Sequence, residues 1–295
     1  MDNSLLAVRG INHKYIVVVG GKGKSQSSIS EKPFATAINA VYICILLLLS
    51  IGIPYFSVIV TSFIKLRGYG LSVGNITFDH YIELFTMNSK GVRAILTSFG
   101  LAAAAATISS IIGTLVVTVI HKEKRWKKVI EGIGLLPEMI PNIVLVIGLM
   151  LFWNKIYNCL PLYNTIWFMI LVYTVMFLPY SIQYVSSALM QIGDNLSAAG
   201  QICGGSHFYV FRKITFPLVM KGIMTGWMMT FIISFRELVA SSLISPPNVL
   251  TVSTFIVREF EQGSVSVGMA MAVICVLIST ASLVLLNAFT DKRSR

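Results

Sequence analysis

The 295-residue chain is 55% hydrophobic and only 12% charged, with a mean hydropathy of +0.78. Soluble domains carry roughly 25% charged residues, so a surface this poor in charge excludes an ordinary soluble enzyme or binding module and requires lipid or buried neighbours. The net charge of +11 does not indicate nucleic acid, because the basic residues form short runs between apolar stretches, as in loops retained in the cytoplasm.

Residues 1–35 are mixed polar and are expected to form a cytoplasmic N-terminal segment. They lack the charged start and apolar core of a signal peptide, so the mature protein is expected to keep them. Val17 to Gln26 (VVVGGKGKSQ) resembles a phosphate loop only superficially. The G-x-x-x-x-G-K-[ST] spacing demands glycine at position 18, which is Val18. No ATP site is expected in this chain.

A helix crosses the bilayer core with about 20 mostly apolar residues. Six stretches qualify, roughly 36–63, 92–120, 129–153, 164–190, 217–243 and 265–289. The expected fold is an all-α membrane protein of about six transmembrane helices, one domain over 36–290 with a short cytoplasmic tail at 291–295. The first stretch includes Ile43 to Ser50 (ICILLLLS). After it, Phe78 to Phe85 (FDHYIELF) spaces its apolar residues as a short amphipathic surface helix would. The second stretch carries Ala102 to Ala106, and small residues let neighbouring membrane helices approach closely. In the third, Leu135 to Gly148 (LLPEMIPNIVLVIG), Pro137 and Pro141 either bend a translocation path or kink a packed helix.

Lysine and arginine set the orientation. Of the 23, sixteen fall in segments 1–35, 121–128, 191–221 and 290–295, and six in the opposite loops. Both termini are therefore expected in the cytoplasm.

The stretch 194–222, DNLSAAGQICGGSHFYVFRKITFPLVMKG, is too polar to span and too patterned for a passive linker. Ala198 and Ala199 belong on a short helix that Gly204-Gly205 breaks. A second helix is expected from about His207, and Pro217 is expected to open the fifth span, where a first-turn N–H needs no partner. Inside that span stand Arg236 and Glu237. Ionisable groups within a membrane face the bundle interior or a water-filled path, so two readings stay open: a path or gate, or a structural ion pair. Ser245-Pro246-Pro247-Asn248 stops the helix that follows.

The four cysteines form no C-x-x-C pair and the four histidines no H-E-x-x-H pair, so neither a metal site nor a disulfide framework is indicated. No nucleophile–base constellation supports an intramembrane enzyme.

The 194–217 stretch resembles the signature of type I ABC importer permeases, a cytoplasmic loop reading roughly E-A-A-x-x-x-G-A followed by F-x-x-V-x-L-P. Phe211, Arg212, Ile214, Thr215, Phe216 and Pro217 match its second half, with Gly204 at the family glycine and Gly205 at its alanine. Ala198 replaces the usual Glu, and Ala199-Gly200 stands for Ala-Ala. The resemblance implies a permease whose 194–216 loop couples to separate ATPase subunits, which bind the ATP; the chain itself would hold no cofactor. It also implies a second permease subunit, a periplasmic or lipid-anchored solute-binding protein and an inner-membrane location, and no nucleic-acid partner. The R-E-L segment, with Thr251 to Ile256 (TVSTFI) and Glu259 to Gly268 (EFEQGSVSVG), resembles ferric iron and phosphonate permeases most. A polyamine or another small ion would use the same scaffold. Lys14 to Lys24 (KYIVVVGGKGK) resembles the linker between the halves of fused iron permeases, which implies pairing with a separate first-half subunit. The rival class is an ion-coupled secondary transporter, which calls for several buried acids on broken helices in repeated halves; only Glu237 and Glu138 fit, and the first three spans do not recur in the last three.

Overall fold

The computed structural model describes residues 33–86, 90–122, 127–192 and 194–292. The 14–26 segment and the tail residues Arg293 and Arg295 lie outside the described residues. The chain divides into two compact units, Met1–Pro54 and Tyr55–Arg295.

In the first unit, α1 (Pro33–Leu47) leads into a π-helical turn (Leu48–Gly52). The Ser50 hydroxyl donates to the Leu46 carbonyl at 2.6 Å, so the leucine run carries no unsatisfied donor into an apolar setting. The helical path continues through α2 (Ile53–Phe63), and 36–63 makes one candidate span.

The second unit adds α3 (Asp79–Phe85), α4 (Lys90–Lys122), α5 (Lys127–Met139), α6 (Asn142–Lys155), α7 (Ile166–Met190), α8 (Asp194–Ile202), α9 (His207–Val210), α10 (Phe216–Phe235), α11 (Val239–Ile244), α12 (Val252–Gln262) and α13 (Val265–Lys292). Five helices are long and apolar enough to cross a membrane, and the pair α5–α6 makes a sixth span if counted as one.

Two stretches differ from the sequence expectation. The third is two helices bent by 106° at Ile140–Pro141. Pro137 sits inside α5, where it removes a backbone donor, and Pro141 caps α6 from an extended conformation (φ −54°, ψ 132°). A residue before proline is pushed out of the α region, so Ile140 cannot carry the helix through. The fifth stretch stops at Phe235, and 239–244 is a separate helix. Nor does Pro217 open a span: the helical path already runs from Phe208. A π-helical turn over Phe211–Thr215, closed by Phe216 N–H to the Phe211 carbonyl, precedes it. That wider turn accommodates a ring that would otherwise clash with the carbonyl four residues back.

The centre of the unit is the trio α4, α7 and α10. Membrane helices gain little from burying apolar area against one another, because lipid is equally apolar; close packing and interhelical hydrogen bonds hold them instead. Ala94, Ala102, Ala105 and Ala106 of α4 are fully buried. A Cβ on Gly113 would stand 2.9 Å from the Ser181 Cβ of α7, and one on Gly222 of α10 would overlap Ala188. Ser109 donates to the Thr174 carbonyl at 3.3 Å, the Ser181 and Thr230 hydroxyls lie 3.4 Å apart, and Ser98 accepts the Val252 N–H at 2.8 Å, tying α12 to α4. Trp227, Phe231 and Phe235 stack along α10, with Phe99 of α4 edge-on to Phe231.

Candidate functional site

The 194–216 loop is a helical hairpin closed by a glycine cap. Helix α8 ends at Ile202, and Gly204 turns left-handed at φ +87°. Its N–H bonds the Gln201 carbonyl at 2.9 Å, and the Gly205 N–H bonds the Gly200 carbonyl at 3.1 Å. This is the paired Schellman closure, which satisfies the last carbonyls of a helix and requires a residue that tolerates positive φ. Nothing lies within 4 Å of a Cβ placed on Gly204, so its constraint is conformational. Gly205 is constrained by space: a Cβ there would meet the Gly200 carbonyl oxygen at 2.8 Å and Val210 Cγ2 at 3.1 Å.

Val210 is buried. Its Cγ2 also stands 3.1 Å from where a Gly200 Cβ would be, so one methyl fills the notch between Gly200 and Gly205. Ser206 starts α9 by accepting the Tyr209 N–H at 3.3 Å. The Phe211 and Phe216 rings pack 6.1 Å apart across the π-helical turn. Ala198 and Ala199 lie on α8, with Ala199 exposed, and Pro217 is exposed. The hairpin packs Val210 against Gly200 and Gly205 and turns other large apolar residues outward: Ile202 is 86% exposed and Phe208 72%, with Leu196 and Tyr209 also exposed. Arg212 and Lys213 stand exposed on the following turn. The sequence reading missed Val210, Ile202 and Phe208. It also missed the close approach at Gly222 and Gly226, although that glycine pair at i, i+4 was legible as a helix-packing signal.

The charged break in the fifth stretch separates its two residues. Glu237 is 9% exposed, and its Oε1 accepts the Val239 N–H at 2.9 Å and the Ala240 N–H at 3.2 Å. A carboxylate on the first amides of a helix satisfies orphan donors and complements the dipole. Ser241 donates back to the Glu237 carbonyl at 2.8 Å, and Tyr173 of α7 engages Ser241. Arg236 ends α10 with its side chain exposed. No ion pair joins Arg236 to a carboxylate among the described residues; the pair found there is Arg258–Glu259. Of the two open readings, the Arg236–Glu237 ion pair does not form. Pro137 and Pro141 belong to the α5–α6 break, where Glu138 accepts a hydrogen bond from Gln183 of α7. The described residues bring no three His, Cys, Asp or Glu side chains together as a metal site.

Such a bundle, with a broken span and a capped helical hairpin between two of its core helices, defines a polytopic helical membrane protein. Residues 109–295 match the family model described as the binding-protein-dependent transport system inner membrane component. The chain belongs to that family: it is the inner-membrane permease subunit of a type I ABC importer. It is 27% identical over 243 residues to the spermidine/putrescine transport system permease protein PotC of Haemophilus influenzae, covering 82% of this chain and 92% of that protein. It is 25% identical over 163 residues to the Fe(3+)-transport system permease protein FbpB 2 of the same organism, covering 55% and 32% respectively. With the putative 2-aminoethylphosphonate transport system permease protein PhnV of Salmonella typhimurium it shares 22% over 227 residues, covering 76% and 83%. Among solved structures, a bacterial ABC transporter that imports the acidic polysaccharide alginate has a chain of the same fold at a TM-score of 0.71, with 16% identity and 89% and 96% covered. A chain of the MetNI methionine ABC transporter aligns at 0.61, with 15% identity and 75% and 100% covered.

Proposed function

We propose that the 194–216 hairpin is the ATPase-coupling element of this permease, and that the chain pairs with a second permease subunit and receives its solute from a binding protein. ATP would be held by the ATPase subunits alone. The observation that carries this reading is the hairpin itself, closed by the Gly204 cap and turning Leu196, Ile202 and Phe208 outward. It joins α7 to α10, which are packed to contact at Gly222, so a push on the hairpin is delivered to the bundle core rather than absorbed by a slack loop. Two arrangements of such a bundle, one favoured by ATP and one by the loaded binding protein, give alternating access.

For the solute, we favour ferric iron carried with anionic ligands, or an organophosphonate. Glu237 is committed to the α11 amides, which leaves the exposed Arg236 at the break without a carboxylate partner among the described residues. A positive site at a break between two helices of the bundle suits an anionic group better than a polyamine. The test is affinity purification of the tagged chain in mild detergent, followed by uptake into proteoliposomes holding the recovered complex and its binding protein. Recovery of an ATPase and a second permease is expected; recovery of the chain alone, even after crosslinking, would overturn the coupling assignment. Uptake of a ferric complex or 2-aminoethylphosphonate should fall in Arg236→Ala. Spermidine uptake that is insensitive to this substitution would overturn the solute class and leave the coupling assignment standing.

A further inference from the structure

Helix α3 is apolar on more sides than a surface helix needs. At about 100° per residue, its positions fall into three stripes. Tyr81 and Leu84 face the bundle: Leu84 is buried, and the Tyr81 hydroxyl lies 2.7 Å from the Ser62 hydroxyl. Asp79, Glu83 and Thr86 form an exposed polar stripe. Between them, Phe78, Ile82 and Phe85 recur at i, i+4 and i+7 and are 65%, 64% and 59% exposed.

The depth of the helix is set by three span ends. The Phe78 and Phe63 rings meet edge-on at 5.0 Å, which places α3 against the last residue of α2. A Cβ on Gly91, in the first turn of α4, would stand 2.8 Å from Leu84 Cδ2. The Ile64 carbonyl, one residue beyond α2, accepts from Ser266 at the start of α13 and lies 3.1 Å from His80 Nε2 of α3. The loop between is also held: the Asn75 side chain accepts the Leu66 N–H at 2.8 Å and donates to the Leu66 and Gly70 carbonyls at 2.7 and 2.8 Å. Three spans thus leave or enter the bundle at the level of α3.

We propose that α3 is an interfacial anchor, with Phe78, Ile82 and Phe85 immersed among lipid acyl chains at the bilayer boundary. The stripe adjoins Phe63, the last residue of the apolar span 36–63, and aromatic side chains concentrate where spans meet the membrane surface. The order of the stripes fits a line where protein, hydrocarbon and water meet: core on one side, an apolar stripe next, and two carboxylates in water beyond. Charges at Asp79 and Glu83 set how far the helix can sink, since burying them in hydrocarbon is costly. The function would be to hold the link between the first two spans at constant depth while the bundle rearranges.

The test places a nitroxide at Ile82→Cys, Phe85→Cys and, separately, Glu83→Cys, in the full chain with Cys44, Cys159 and Cys203 changed to Ser. Phosphatidylethanolamine–phosphatidylglycerol liposomes hold the protein, and power saturation is read with oxygen and with a water-soluble nickel chelate. Labels at 82 and 85 should respond to oxygen and be shielded from nickel, with the reverse at 83. Nickel access at 82 and 85 equal to that at 83 would overturn the anchor in favour of a water-facing stripe. Shielding of 82 and 85 from both reagents would overturn it in favour of a protein partner covering the stripe. The two apolar positions give independent readings should one variant fold poorly.

Discussion

The chain interrupts its helices in opposite ways at Gly204 and at Arg236–Glu237. At Gly204 the helix ends through backbone conformation alone, with open space around the turn and large apolar side chains facing out. At the second break Glu237 is buried and its carboxylate bonds the first amides of the next short helix, while Arg236 beside it is exposed. A break at the surface is served by a backbone cap, which leaves the side chains around it free. A break inside a bundle must satisfy its own donors, because no water is at hand to do so.

Substitutions test this contrast, beginning with the largest effect on uptake. Gly204→Val forces a β-branched residue to positive φ, costing roughly 1–2 kcal/mol of local conformational energy, and opens the Schellman closure. ATP-driven uptake should be lost while the purified complex keeps basal ATPase activity; unchanged uptake would remove the hairpin from the coupling role. Gly222→Leu drives a side chain into Ala188 and the Tyr184 carbonyl. Overpacking costs typically 1–3 kcal/mol, and a lower thermal midpoint in detergent is expected, larger than for any hairpin variant. Glu237→Ala removes a cap worth about 0.5–2 kcal/mol. Glu237→Gln keeps an acceptor and should lose less; equal losses in the two variants would show that charge rather than hydrogen bonding holds α11. Gly200→Ala brings the loop closer to the E-A-A pattern it resembles, and the new methyl meets only the end of the Ile214 side chain at 2.8 Å and Val210. A change below about 1 kcal/mol is expected, read as an unaltered midpoint and near-normal uptake.

The glycine cap was legible because a Gly-Gly pair between two polar-apolar runs has few other uses. The α3 helix was legible because its apolar positions recur at helical spacing within seven residues. The separation of Arg236 from Glu237 was not: adjacent opposite charges suggest a pair, and only the end of α10 at Phe235 turns one outward and the other toward Val239 and Ala240. The full break of the third stretch was similarly hidden. Two prolines four residues apart announce a bend, but its angle depends on what the two helices pack against, among them Gly134 beside Ile182.

Composition and apolar run length alone determined that this is a helical membrane protein of about six spans, because backbone groups in a bilayer must be paired internally and an apolar run of about 20 residues achieves that as a helix. The loop residues alone determined its family resemblance. Tertiary structure decided which glycines are needed for conformation and which for space, where the charges of the fifth stretch go, and which side of α3 packs on the bundle. These depend on contacts between helices far apart in sequence, and no local pattern records the distance at which two helices pass.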